Sequence, residues 1–344
     1  MSRAITIELD AGSKTFATGL LSDLIASFRG SRRGDLLAVT GDDAALGAEL
    51  EAWCRFTRNS LVALDVVAGR PRWTIRRGEA VLGVDPDRPI GSRIWLYTNF
   101  DCNLCCDYCC VRSSPRAARR PLGLNTIRRI AAEAAELGVG EIFVTGGEPF
   151  LLPDIGDIIA ACAAAAPTTV LTNGMLLKGK RLEMLRRQSQ SRVTLQVSID
   201  SATAERHDRH RGTGSWARAW EGIAAAQTLG FRVRIAATVS DEAEEAEFRR
   251  FLEERQVSDE DRVIRRIVRR GFAEDGVAIA RADLMPELTV TDGGIYWHPV
   301  GADDADLLVT RDIFPLAAAF AEVRRAFVRE RSHQTRLASI YNCA

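Results

Sequence analysis

The chain has 344 residues, with 46 Lys plus Arg against 46 Asp plus Glu and 46% hydrophobic residues. That length suits two modules, one of them a larger α/β barrel, and zero net charge excludes a whole-molecule field pulling it toward nucleic acid or an acidic membrane. The longest apolar block, IIAACAAAAP at 158–167, is about half of what a bilayer crossing needs and suits an Ala-rich helix on a sheet. In chain order, AITIELD (4–10) alternates like a strand, and no apolar run follows the lone Arg3 as a signal peptide would require, so a soluble, cytoplasmic protein is expected. A helical pattern runs through LLSDLIASFRG to Gly30, then the strand DLLAVTGDD, with Asp42 and Asp43 placed to cap the helix AALGAELEAWCRFTRN. SLVALDVVAG and RPRWTIRRG follow as two strands joined across Gly69 and Pro71.

This βαβαββ order, a small two-layer module over residues 1–80, resembles the TusA/SirA family of small sulfur carriers, chiefly in DDAALGAELEAWCRFTRNSLVALDVVAGRPRWTIRRG. The family carries its persulfide on a cysteine of a Cys-Pro-x-Pro motif at the start of the first helix. Here that region reads KTFATGLLSD, without cysteine, and Cys54 lies mid-helix in an apolar stretch, as a small buried thiol does. The resemblance therefore implies a fold kept and a sulfur relay lost, leaving docking of a partner or presentation of substrate as the module's task.

VDPDRPIG within residues 81–91 reads as a linker. From 92 to 271 strands and helices alternate: RIWLYTNF, then NTIRRIAAEAAELG, EIFVTGG, DIGDIIAACAAAA, TTVLTNG, GKRLEMLRRQ, RVTLQVSID, SWARAWEGIAAAQTLG, RVRIAATVS, DEAEEAEFRRFLEERQ and RVIRRIVRR. Alternation of this kind predicts parallel strands with right-handed crossovers, and six strands predict a partial, open (β/α)6 barrel with its site at the C-terminal strand ends.

The first of those strand ends opens into DCNLCCDYCC (101–110), which holds five of the eight cysteines at 54, 102, 105, 106, 109, 110, 162 and 343. Such clustering points to a metal or redox site rather than a disulfide framework. Zinc on two C-x-x-C pairs, a dithiol redox pair and an iron-sulfur cluster all compete. Adjacent Cys105 and Cys106 strain the zinc geometry, and a redox pair rarely has three further thiols beside it.

Cys102, Cys106 and Cys109 form C-x3-C-x2-C, with Tyr108 before the last cysteine, and this spacing resembles the signature of the radical S-adenosylmethionine (SAM) superfamily. The resemblance implies a [4Fe-4S] cluster held by those three thiolates, with Tyr108 beside it and a fourth iron open to the amino and carboxylate groups of SAM. It further implies reductive cleavage of SAM to a 5'-deoxyadenosyl radical that abstracts hydrogen from a substrate. Cys105 and Cys110 are then bystanders. VTGGEPF (144–150) matches the family's GGEP motif, in which the backbone of Gly146 and Gly147 approaches the ligand and Glu148 accepts from the SAM ammonium.

The stretch SIDSATAERHDRHRGTGSW (198–216) resembles that of the peptide- and cofactor-modifying branch. It places Ser198 and Asp200 on one side of the strand for ribose hydroxyls or for bracing the loop, and Arg211 for the SAM carboxylate. His207 and His210 fall on a polar loop and are expected to be solvated, Thr172-Asn173-Gly174 and Thr238 to end neighbouring strands, and Met175 to pack in the core. RVIRRIVRR (262–270) reads as a buried strand or short helix with arginines on a solvated rim, not as a nucleic-acid site.

In the extension 272–344, ELTVTDGGIYWHPV predicts a hairpin turning at Asp292, Gly293 and Gly294, followed by DLLVT and the helix PLAAAFAEVRRAFVRERS. Cys343 alone cannot hold a second cluster, so one [4Fe-4S] centre is expected, with the extension closing the barrel mouth or shaping the substrate pocket. Trp297 and His298 are candidate substrate contacts, the tryptophan also a packing residue. The partners implied are a peptide or small-molecule substrate, an electron donor such as flavodoxin or ferredoxin, and a docking partner for the N-terminal module, with no membrane or nucleic acid. Sulfur insertion and a non-enzymatic cysteine-rich metal-binding adaptor are the alternative functions.

Overall fold

The structure is a computed structural model and describes residues 5–14, 20–28, 31, 34–43, 46–57, 59–78 and 91–340. The KTFATG stretch beyond Lys14, nearly all of the 81–91 linker and Cys343 lie outside the described residues. The chain divides into two compact units, Met1–Pro89 and Ile90–Ala344.

The first unit is a four-stranded sheet carrying two helices. Its elements are β1 (Thr6–Gly12), α1 (Leu20–Ser27), β2 (Leu36–Gly41), α2 (Leu46–Thr57), β3 (Ser60–Val67) and β4 (Arg70–Arg76), with strand order β1-β2-β4-β3. β1 and β2 run parallel, while β4 is antiparallel to both β2 and β3. Leu20, Leu24, Leu37, Val39, Leu46, Leu50 and Ile75 form its core, and Phe28 stacks on Trp53 at 5.8 Å. Cys54 belongs to that core at 4% exposure, and burial pushes its thiol up to about 11, which makes it a packing group rather than a nucleophile.

The second unit alternates β5 (Arg93–Tyr97), α3 (Leu124–Glu136), β6 (Glu141–Thr145), α4 (Ile155–Ala165), β7 (Thr168–Thr172), α5 (Gly179–Arg186), β8 (Val193–Ser198), α6 (Ala204–Arg211), α7 (Ser215–Thr228), β9 (Arg232–Val239), α8 (Glu242–Glu254) and β10 (Arg262–Arg266). The six strands lie in chain order and all pair in parallel, as a partial (β/α)6 barrel requires. β11 (Thr289–Thr291), β12 (Gly294–Tyr296) and β13 (Leu308–Thr310) continue the sheet past β5, so the hairpin extends the barrel edge, with β11 parallel to β5. α9 (Leu316–Ile340) follows. Among the described residues no helix is long and apolar enough to cross a membrane.

Period-2 alternation sorts the strand side chains between two environments. Ile94, Leu96, Ile142, Val144, Val170, Leu195, Val197, Ile235 and Ile264 join the core under the helices, with Ile127, Ile158, Ile223 and Phe248 from the helices themselves. The opposite face lines the barrel lumen and is mostly polar or aromatic. Trp95 stacks on Phe143 at 4.1 Å, and Arg93 and the Trp95 indole both donate to Glu287.

Two expectations need correction. AERHDRHR is the helix α6 rather than a polar loop, and its His207 is buried, 1% exposed, instead of solvated. The arginines of RVIRRIVRR form a solvated rim only in part: Arg265 and Arg269 are exposed, the others half-buried. The strand ends at Arg266, Arg262 pairs with Glu253 and Asp259, and Arg270, 8% exposed in its side chain, bridges Asp304 and Asp306.

Candidate functional site

β5 ends at Tyr97, and the chain from Thr98 to Ser114 lies over the C-terminal mouth of the barrel. Asn99 ties this loop to the turn after β6: its carbonyl accepts from Gly147 N at 2.9 Å, its side-chain amide donates to the carbonyls of Asp101 (2.8 Å) and Glu148 (3.1 Å), and Asp101 O accepts from Glu148 N at 3.0 Å. Glycine is required at both turn positions by space. A Cβ on Gly146 would run into Asn99, and one on Gly147 into the Asp101 carbonyl. Gly147→Ala is expected to lower stability by about 1–3 kcal/mol through a forced backbone shift, read as a lower urea midpoint at unchanged slope; an unchanged midpoint would show that the turn yields freely.

The loop separates its five thiols. Cys102 and Cys106 pack with Leu104 and Met175, and Cys102 feels the charge of Cys106 and Cys109. Backbone N–H groups donate to two of these sulfurs, Leu104 N to Cys102 Sγ at 3.4 Å and Ser113 N to Cys109 Sγ at 3.3 Å. Burial pushes the Cys102 thiol up to about 12, with Glu148 adding to it, and burial likewise pushes Cys106 up to about 11. Cys105 is exposed, and Cys109 and Cys110 both pack against Tyr97, Phe100, Val111 and Ala302.

The residues present fit a thiolate-held cluster. Among the described residues no three His, Cys, Asp or Glu side chains converge on a single ion. A cubane does not ask for that convergence, because each thiolate takes a different iron, and N–H donors to sulfur are what tune such a centre. Cys102, Cys106 and Cys109 would hold it; its assembly from raised thiols releases protons.

Glu148 is fully buried. Its Oε1 accepts from Phe150 N (3.0 Å) and Thr172 Oγ1 (2.8 Å), and its Oε2 from Asn173 N (2.8 Å), so its carboxylate joins the ends of β6 and β7. Burial raises its carboxyl above the usual range despite those donors. Asn173 in turn donates to Asn103 Oδ1 at 2.8 Å, carrying the link back into the cysteine loop. Met175 lies in the small cluster beside Cys102 and Cys106, not in the main core.

The other side of the mouth is organised by Asp200. Its carboxylate accepts from Tyr108 OH, from Arg211 Nε and Nη2, and from Thr238 N at 3.0 Å. Burial works against ionisation of Asp200, but the Arg211 guanidinium outweighs it and holds the carboxyl below its ordinary value. Arg211, 10% exposed in its side chain, is thus committed to Asp200, and it also lies 5.6 Å from the centre of the Tyr108 ring. Asp200 N donates to His207 Nδ1 at 3.1 Å, which leaves the proton on Nε2, and burial pushes that imidazole down to about 4, so it is neutral. His210 meets Asp107 at 2.8 Å, a second tie between α6 and the cysteine loop. Ser198 is half-buried on the lumen face, level with Ala236. Beside Asp200 a cavity opens between Ser201, Arg206, His210, Thr238 and Glu244.

The structure thus gathers Cys102, Cys106, Cys109, Tyr108, the Gly146-Gly147-Glu148 turn, Ser198, Asp200 and Arg211 around one barrel mouth. Asn173, expected at a strand end, also holds it together, as do Asn99, Asn103 and Asp107, which were absent from the sequence reading. Their only signal was position, flanking the cysteines or ending a strand. Trp297 packs with Tyr296, Leu307 and Ala326 and donates to Leu284 O at 2.8 Å, so it is a packing residue.

A partial parallel barrel whose first strand end carries clustered thiols and whose second carries a glycine turn defines an α/β barrel protein with a loop-borne centre at its mouth. Residues 96–255 match the Radical SAM superfamily, a family that uses a [4Fe-4S] cluster and SAM. The antilisterial bacteriocin subtilosin biosynthesis protein AlbA of Bacillus subtilis (strain 168) is 34% identical over 140 residues, 40% of this chain and 31% of AlbA. GTP 3',8-cyclase of Microcystis aeruginosa (strain NIES-843 / IAM M-2473) is 34% identical over 138 residues, 38% of this chain and 42% of the cyclase. The chain thus covers less than half the length of these curated relatives. The crystal structure of Streptococcus suis SuiB bound to S-adenosylmethionine is similar at a TM-score of 0.47 and 21% identity, over 56% of this chain and 45% of SuiB.

Proposed function

We propose that this chain is a radical SAM enzyme that cleaves SAM reductively and abstracts hydrogen from a peptide or small-molecule substrate. The observation that carries this reading is the grouping of Cys102, Cys106 and Cys109 beside the Gly146-Gly147-Glu148 turn, inside the span that matches the superfamily. Held by Cys102, Cys106 and Cys109, a [4Fe-4S] cluster would supply the one electron needed to cleave the bond from the SAM sulfonium to its 5' carbon, giving methionine and a 5'-deoxyadenosyl radical that would become 5'-deoxyadenosine on taking a substrate hydrogen atom.

The protein's own residues do the positioning. The Gly146-Gly147 backbone leaves room for SAM, Glu148 braces the turn under its amino group, and Ser198 offers a hydroxyl to its ribose. Asp200 and Arg211 together hold Tyr108 at the cluster's edge. An external donor such as flavodoxin or ferredoxin supplies the electron. The first unit, whose strand order supports kinship with the TusA/SirA carriers, docks a partner or presents substrate without carrying sulfur, since Cys54 is sealed in its core. The test is anaerobic reconstitution with iron and sulfide, then SAM and dithionite. The expected result is a brown protein that forms 5'-deoxyadenosine and methionine in equal amounts; iron-loaded protein that leaves SAM intact would overturn the proposal.

A further inference from the structure

Below the mouth, the lumen holds two arginines without an ion-pair partner among the described residues. Strand register puts Arg234 of β9 level with Gln196 and Leu171, and Arg265 of β10 level with Thr238, nearer the mouth. Both alternate with core residues that face the helices, Ile235 and Ile264, so both point inward. Neither has a hydrogen-bond or ion-pair partner among the described residues, and Arg234 Nε is sealed from solvent without an acceptor.

The neighbouring acids are spoken for. Glu287 takes Arg93 and the Trp95 indole, Asp261 takes Arg232 and Ser258, and Glu141 accepts from Thr169. Tyr97 spends its hydroxyl on Pro299 O at 2.7 Å. Arg265 is exposed and Arg234 half-buried, so both guanidiniums remain within reach of a ligand in the lumen. His298, beside Arg265, is pushed down to about 3 by burial and by three surrounding arginines, and its Nδ1 accepts from Val300 N, leaving Nε2–H as a further neutral donor. Two guanidiniums that face one interior without an acidic partner repel each other, and an anion placed between them removes that repulsion.

We propose that the barrel lumen binds an anionic group of the substrate, a carboxylate or a phosphate, on Arg234 and Arg265. This deepens the function proposed above and rests on it in one respect, that the lumen under the cluster is the substrate's site. Guanidinium forks fit both anions. Held at that depth, the anion anchors one end of the substrate and leaves the remainder to extend toward Tyr108 and the cysteine loop, where hydrogen is taken.

The test is calorimetric titration of the full chain with inorganic phosphate, pyrophosphate and glutarate at constant ionic strength, for the wild type, Arg234→Gln and Arg265→Gln. One-site binding of at least one anion is expected, weakened about tenfold or more by either substitution, as loss of a charge-assisted pair predicts. Preference for the phosphates or for glutarate tells a phosphorylated substrate from a carboxylic one. A second readout protects against misfolding: without anion, each glutamine variant should melt no lower than wild type because an uncompensated charge has gone, and the rise in melting temperature on adding anion should vanish. Equal anion binding by all three proteins, no binding by wild type, or a marked drop in melting temperature from either substitution would each overturn the inference. The titration needs neither SAM nor reductant, so its failure and failure of the radical chemistry are read separately.

Discussion

Alanine at Cys102, Cys106 or Cys109 is expected to abolish 5'-deoxyadenosine formation, to below about a hundredth of wild type, with loss of the brown chromophore after anaerobic reconstitution. The size follows from comparison: losing even an outer-shell partner of a metal ligand costs about 10–100-fold, and a direct ligand costs more. Cys105→Ala should keep both colour and activity, because that side chain is exposed and outside the proposed triplet. The contrast within one loop is what gives the experiment its force. Were Cys105→Ala to lose iron while Cys106→Ala kept it, the triplet would be misassigned.

The second large effect lies at the Asp200–Arg211 pair, whose side chains are 4% and 10% exposed. Asp200→Asn keeps the shape but strands a buried guanidinium and puts an amide against the donors Tyr108 OH and Thr238 N. Breaking a buried pair from one side costs about 3–5 kcal/mol, or roughly 10 °C in melting temperature for a unit of this size. Removing both charges should hurt less than the sum of the single losses, which a cycle with Arg211→Gln and the double variant measures. Strict additivity would show that the two groups do not depend on each other.

The pair also has a pH signature. Asp200 is held below its ordinary value in the folded state, so its contribution is fully present above about pH 4 and is lost as pH falls through the lower folded value. The Asn variant should therefore lose stability less steeply than wild type in that acid window. Activity should fall as well, because Asp200 also positions Tyr108 and His207 around the mouth.

The misreading of α6 has a plain cause. AERHDRHR offers almost no apolar periodicity, and its helix is fixed by contacts distant in the fold: His207 is buried under Asp200, and Asp208 accepts from Gly214 N, Ser215 Oγ and Trp216 N to cap the next helix. Among the arginines of 262–270, Arg262 and Arg270 were misplaced for a related reason. The partners of Arg270, Asp304 and Asp306, stand more than thirty residues away, and no local pattern announces them. The rest of the strand–helix succession, by contrast, was legible across 92–271, since Val, Ile and Leu at period 2 alternate there with Ala-rich helical patterns.

By itself the sequence determined the parallel α/β alternation, the spacing of the thiols, and the glycine turn after the second barrel strand, because each is a local property of backbone period or side-chain size. Only the tertiary structure decided that Asp200 answers Arg211 and Tyr108, that Glu148 ties two strand ends together, and that Arg234 and Arg265 face one interior with no ion-pair partner among the described residues. The physical reason is that charge and hydrogen-bond energies depend on distances in space, and residues as far apart as Tyr108 and Asp200 come within reach only when the sheet curls.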